Sequence, residues 1–304
     1  VGYNKTFRSY GPRHCFPSFN TTMQHRAFTR RASCENSAPF SINETYRVAL
    51  ATASTGSALN PAYELAIHSH MTYSTIHNTS VHMLCADLVP GIWNKIAFLA
   101  SIVINELLKP QSERLEWILW IDRDTLILDQ CRPLSSFLPP KTSAFNKVNL
   151  IACHDAFGLN AGVFFFRPNR WVLQFFNAVL AYPHYKPNDH LVFAEQSAMD
   201  RILSSTTDEE DYSEHFARVP WYWFNAYPPE GNTSTRSFVE GIVPDGYEWF
   251  RPRQGDFLAH FAGHPGRDDE IVEWGKALEE VGDVWEGTGA EAKRDVSRDV
   301  RNYW

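Results

Sequence analysis

Apolar positions in the first half of the chain recur at two spacings, and each spacing defines an element. Arg47 to Ala53 (RVALATA) is a compact apolar run followed by Gly, Ser and Asn turn chemistry between Ser54 and Asn60, the pattern of a strand running out into a loop. Pro61 suits the first turn of a helix expected to reach about His77, because its missing N–H would be unpaired there anyway. Val81 to Ala86 predicts a second strand. From Trp93 onward Ile96, Ala97, Ala100, Val103, Ile104 and Leu107 return at helical spacing until Pro110 stops the helix. Trp117 to Ile121 (WILWI) is wholly apolar and ends abruptly in Asp122-Arg123-Asp124, which predicts a buried parallel strand delivering charge to a sheet edge. Strand, helix, strand, helix, strand predicts an α/β fold, with a mostly parallel sheet and helices on both faces.

Further strands are expected at Leu150 to Cys153, Gly162 to Arg167 and Phe257 to Phe261. Helices are expected at Arg170 to Ala181, Glu195 to Leu203, Asp269 to Val281 and Ala290 to Val300. Residues 1–44 show no periodicity and are rich in Ser, Thr, Pro and Arg, so they read as an arm or stem remnant. No internal repeat or linker divides residues 45–304, which are expected to form a single domain.

Composition narrows the class. The 304 residues suffice for a large core, and a net charge of −7 without a basic stripe excludes a nucleic-acid-backbone binder. No apolar run approaches the roughly 20 residues that span a bilayer, and the start at Val1 leaves room for an upstream anchor that has been removed. Five sequons, at Asn4, Asn20, Asn43, Asn78 and Asn232, point to a secretory route. Among the five cysteines, Cys15 and Cys34 are expected to be able to pair within the arm, and Cys85 reads as a plain buried thiol.

The chemistry begins with the acidic pair. On an extended strand, side chains two residues apart share a face, so Asp122 and Asp124 would converge on one ion. Hard oxygen ligands at a sheet edge suit a divalent cation that escorts a diphosphate, although a bare Asp-x-Asp is common by chance. His260 lies in a short apolar strand that ends in a Gly-rich turn carrying His264 and Arg267. Gly lets backbone approach a phosphate, and Arg offers it charge-assisted hydrogen bonds. An imidazole beside two carboxylates favours Mn²⁺ over Mg²⁺. Asn160, before Gly162, and the side-by-side Glu195 and Gln196 offer partners for a polyhydroxylated ligand. Two other classes compete. A metal-dependent phosphohydrolase would place a Gly between the acidic pair and its Thr, and here Thr125 follows Asp124 directly. A non-catalytic carbohydrate-binding protein would use aromatics such as Trp221, Tyr222, Trp223 and Phe224.

The order of these pieces resembles glycosyltransferase family 34, the fungal and plant enzymes related to α-galactosyltransferases, α-1,6-mannosyltransferases and xyloglucan xylosyltransferases. The matching pieces are Tyr73 with His77, Trp93-Asn94-Lys95, Trp117 to Asp124, Leu159 to Phe166, Glu195-Gln196-Ser197-Ala198 and His260-Phe261-Ala262-Gly263. The resemblance implies a GT-A fold and retaining transfer of a hexose, galactose or mannose, from a UDP- or GDP-sugar to a glycan acceptor. It implies Asp122, Asp124 and His260 as ligands of Mn²⁺ or Mg²⁺. Thr52, Tyr73, Lys95, Arg123 and Gly162 would lie around the nucleotide sugar, and Asn160, Glu195 and Gln196 around the transferred sugar. His264 or Arg267 would replace a basic residue that the family carries after its His-Phe-Ala-Gly. It further implies a Golgi-lumenal, type II membrane protein whose anchor lies outside this chain, able to assemble with other glycosyltransferases.

Overall fold

The computed structural model describes residues 6–55, 60–205, 211–229, 233–263, 266–286 and 293–304. Seven strands form the main sheet in the order β1-β3-β2-β4-β7-β6-β8. They are β1 (Phe7–Tyr10), β2 (Val48–Ala53), β3 (Ser80–Leu84), β4 (Trp117–Ile121), β6 (Leu150–Asp155), β7 (Gly158–Phe166) and β8 (Phe216–Arg218), while β5 (Thr125–Ile127) and β9 (Leu258–His260) make a separate antiparallel pair. Strand β7 runs antiparallel to both β4 and β6, and every other pairing in the main sheet is parallel. The expected α/β class and mostly parallel sheet are therefore observed.

The wholly apolar reading of β4 has a direct cause. Trp117, Leu119 and Ile121 enter one core layer, with Ile67 and Met71 of α2 (Pro61–His77). Ile118 and Trp120 enter the opposite layer, with Ile96, Leu99 and Val103 of α3 (Asn94–Leu107) and Phe175 and Phe176 of α4 (Arg170–Tyr185). Alternate residues of a strand face opposite sides, so a strand covered on both faces must be apolar throughout. Helix α2 starts where Pro61 and the Asn60 cap place it, and Asn78 closes it in a left-handed conformation.

Four expectations need correction. The segment read as an aperiodic arm holds edge strand β1 and the 17-residue helix α1 (Thr21–Ser37), which buries only Ala27 and Cys34 and so shows little apolar pattern. Cys15 and Cys34 do not pair with each other: Cys15 bonds Cys85 and Cys34 bonds Cys131. Cys85 is accordingly no free thiol, and Cys153 is the buried free cysteine. The helix expected from Ala290 begins at Ser297, as α8 (Ser297–Tyr303). No helix among the described residues is long and apolar enough to cross a membrane.

Candidate active site

Asp122 and Asp124 do converge, but not through the pleat of a strand. Strand β4 ends at Ile121, residues 123 and 124 form a turn, and β5 begins at Thr125. The turn is braced from behind. The Thr125 hydroxyl donates to the Asp122 carbonyl (2.7 Å), and Nε2 of the buried His70 lies 3.1 Å from the Thr125 carbonyl. Antiparallel pairing sets Thr125 opposite His260, and Phe261 N–H donates to the Asp124 carbonyl. That register brings the imidazole from far downstream. Ligand atoms of Asp122, Asp124 and His260 lie within 4.8 Å of one another, with His260 Nε2 3.7 Å from Asp124 Oδ1.

Each carboxylate has one oxygen engaged. Asp122 Oδ1 accepts from Trp120 Nε1 (2.7 Å) and pairs with Lys95 Nζ (3.2 Å). Asp124 Oδ2 pairs with Arg267 at 2.9 Å. One oxygen on each, together with Nε2, remains for a cation, and ligand distances near 2.1 Å ask for little further closure. Two carboxylates and an imidazole form a donor set that fits a divalent ion.

Lys95 sits at the start of α3 because Asn94 shapes the preceding loop, accepting from Leu88 and Val89 N–H and donating to Asp87. Its ammonium joins the two ends of the site: besides Asp122 it contacts Glu195 Oε1 (3.1 Å) and the Ala161 carbonyl (2.9 Å). Burial alone would lower the Lys95 pKa, but Asp122 and Glu195 outweigh it and hold it above the ordinary lysine value. Burial pushes the Glu195 carboxyl up, with Lys95 opposing. Glu195 lies in the first turn of α5 (Ala194–Leu203) and is 1% exposed, and its Oε2 has no partner. Preceding it, Ala194 has φ +44°, a costly conformation for a residue with a Cβ. Gln196 anchors to β7 by accepting from Ala161 N–H.

Asn160 bonds Asp155, Tyr227, the Gly162 N–H and Asn225. Gly162 lies under the imidazole: a Cβ there would come 2.1 Å from His260 Cε1. Arg123 is exposed and stacks on Tyr63, 4.4 Å from the ring centroid. Thr52, on β2, is fully buried with its hydroxyl unpaired. Tyr73 corrects the expectation of a nucleotide contact. It is buried in the core, its hydroxyl donating to the Arg132 carbonyl and its ring against Phe257. Nearby His77 is also buried, between the Ile42 and Gln130 carbonyls. His264 lies outside the described residues.

Sequence reasoning missed Tyr63, Asp155, Asn225 and Tyr227. Only Asn225, directly after the aromatic run, stood beside a segment already singled out. That run divides: Trp223 and Phe224 are core, while Trp221 packs on Tyr227, Phe250 and the half-exposed Trp249.

A mixed sheet with a braced acidic turn at its carboxyl edge is the arrangement that the family resemblance led one to expect. Residues 138–268 match the sequence profile of the galactosyl transferase GMA12/MNN10 family, glycosyltransferase family 34, and the resemblance read in the sequence holds. The matched span includes Asn160, Gly162, Glu195, Gln196, His260 and Arg267; the acidic pair precedes it. An uncharacterised alpha-1,2-galactosyltransferase of Schizosaccharomyces pombe is 26% identical over 240 residues, covering 68% of this chain. The chain spans 57% of that relative's length. Among solved structures, a glycosyltransferase involved in glycosylation of the major capsid of PBCV-1 aligns with 14% identity and TM-score 0.49, over 74% of this chain and 98% of its own. The glycosyltransferase GlyE of Streptococcus pneumoniae TIGR4 aligns with 13% identity and TM-score 0.40, over 78% of this chain and 63% of its own.

Proposed function

We propose that the chain is a metal-dependent retaining glycosyltransferase that moves a hexose, galactose or mannose, from a nucleoside-diphosphate sugar to a glycan. The observation that carries this reading is the meeting of Asp122, Asp124 and His260 beside two cations, Lys95 and Arg267. The similarity to an alpha-1,2-galactosyltransferase of Schizosaccharomyces pombe favours galactose.

In this reading Asp122, Asp124 and His260 hold Mn²⁺ or Mg²⁺, which supplies Lewis acidity to the diphosphate. Arg267, held by Asp124, would offer the same diphosphate charge-assisted hydrogen bonds; His264 is the alternative that the sequence offered for this charge. Thr52 lies beneath the nucleotide subsite, at the end of β2 with its buried hydroxyl unpaired, and Arg123 stacked on Tyr63 flanks that subsite. Lys95 pairs with Glu195 behind the transferred sugar and opposes the burial that raises its carboxyl pKa. Glu195 then serves as nucleophile or as stabiliser of the oxocarbenium charge, with Gln196 and Asn160 contacting sugar hydroxyls. In same-face attack the leaving phosphate itself takes the acceptor proton. Trp221 and Trp249 offer flat faces for acceptor rings. The whole protein then works in the Golgi lumen behind an N-terminal anchor, alone or with other glycosyltransferases.

The test is a donor screen with UDP-galactose, GDP-mannose and UDP-glucose, with and without Mn²⁺ and a glycan acceptor. Transfer should require the ion. Asp124→Ala should lose at least about a hundredfold in rate, roughly 3 kcal/mol of barrier, and lose Mn²⁺ uptake with its circular dichroism intact. Undiminished transfer in chelator would overturn the reading, and phosphate release from simple esters would indicate a phosphohydrolase instead.

A further inference from the structure

We propose that Asn225 is a positioning residue that locks His260 as its Nδ1–H tautomer, with the Nε2 lone pair turned toward Asp122 and Asp124. The inference rests on the reading of His260 as a metal ligand.

The polarity of the network is forced link by link. The shape of an amide or an imidazole does not show which atoms carry hydrogens; their partners do. The backbone N–H of Gly162 can only donate, so the Asn160 atom 2.9 Å away is its oxygen. At its other end Asn160 faces the Asp155 carboxylate at 3.0 Å, which requires the NH₂ there and gives the same orientation. Asn225 lies 2.9 Å from that Asn160 oxygen and must present its own NH₂. Its oxygen is then the atom 2.9 Å from His260 Nδ1. An amide oxygen accepts and never donates, so Nδ1 carries the hydrogen.

In a neutral imidazole the other nitrogen is then a bare donor atom. That atom is Nε2, which faces the acidic turn. The opposite tautomer would set two lone pairs against each other across the same 2.9 Å, in a place where Asn225 is 0% exposed and His260 3% exposed. Neither group could turn to water for relief. The plane of the ring is fixed as well. Tyr227 stands edge-on to it at 5.6 Å between centroids, and Gly162 leaves space beneath it that no other residue could. Asp155 heads the relay and accepts from both Asn160 and Tyr227, so one carboxylate orders both supports of the imidazole. Partners that orient a ligating His in this way typically change metal affinity ten- to a hundredfold when removed.

The experiment is a long-range proton–nitrogen correlation spectrum of ¹⁵N-histidine-labelled, metal-free protein, followed by Mn²⁺ titration by calorimetry. Wild type should show His260 as the Nδ1–H form. Asn225→Ala should show mixed tautomers and bind Mn²⁺ ten- to a hundredfold more weakly, with unchanged circular dichroism. An Nε2–H signal for His260 in wild type would overturn the proposal, a measurement that needs no variant to fold. So would unchanged Mn²⁺ affinity in a folded Asn225→Ala protein. A wild type that takes up no Mn²⁺ would remove the metal reading, and the tautomer spectrum would still decide the role of Asn225.

Discussion

Gly162 sets how closely His260 can approach the acidic turn. Its lack of a side chain is steric in purpose, because a Cβ would overlap the imidazole at 2.1 Å. Gly162→Ala is expected to push the ring off the Asp122/Asp124 side. Displacements near 1 Å at a reacting centre cost about a hundredfold, so transfer should fall by tenfold to a hundredfold while the melting temperature changes little. Wild-type steady-state rates and Mn²⁺ affinity in that variant would contradict this. At the scale of residues, the structure gathers Asp122, Asp124, His260, Lys95 and Glu195, all singled out in the sequence: the acidic pair and His260 stood at the ends of apolar runs, Glu195 at a helix start, and Lys95 only in the family resemblance. Tyr73 was misread: its type and place suited a base contact, yet its hydroxyl is satisfied by the Arg132 carbonyl deep in the core. Asn225 was illegible, since its meaning lies in three partners brought from β6, β7 and β9.

Among the elements, the acidic turn depends on α2 as much as on its own strands. His70 supplies one N–H to Thr125 while its Nδ1 is buried without a partner. Burial lowers its pKa to about 4. The unfolded chain, with an ordinary histidine near 6.5, therefore takes up the proton first as pH falls. The contribution is fully present above pH 6.5 and is lost toward pH 4, by about 3 kcal/mol for this residue. His77 and His82, held at about 4 and about 3, act in the same direction. Asp256 and Asp129, raised by burial to about 7 and about 6, act oppositely, since folding favours their protonated forms. His70→Gln isolates one term: relative to wild type it should gain stability steadily between pH 6.5 and 4 in denaturant titrations. A constant difference across that range would refute the account. The elements α2, α3 and β4 were read from a proline start, from helical spacing and from an unbroken apolar run. Strands β1, β5 and β8 were missed because three or four residues carry no period, and α1 because it buries too few side chains.

For the whole molecule, the N-terminal segment is stitched to the sheet rather than trailing from it. Cys15–Cys85 ties the chain after β1 to the end of β3, and Cys34–Cys131 ties α1 to the loop after β5, closing separations of 70 and 97 residues. Cross-links over such spans restrict the unfolded chain and typically stabilise by about 2–5 kcal/mol. Replacing Cys34 and Cys131 together by Ala should lower unfolding free energy by that amount in guanidinium titrations, and full reduction of wild type should act in the same direction. An unchanged midpoint with thiols confirmed free would contradict it. The sequence showed five cysteines but not their partners, because pairing depends on the tertiary path of residues 6–44.

The pairing of β4 with β7 has a last consequence. Because these neighbours run in opposite directions, the finish of one and the opening of the other share an edge: Ile121 faces Val163, and Asp122 N–H donates to the Gly162 carbonyl at 2.8 Å. Sliding β7 by a single step would seat alanine or valine under the imidazole and swing the asparagine to the far side. Alignment of two hydrogen-bonded ladders thus sets the tolerance of the proposed chemistry, and the layer that looks most like scaffolding is where that site keeps its calibration.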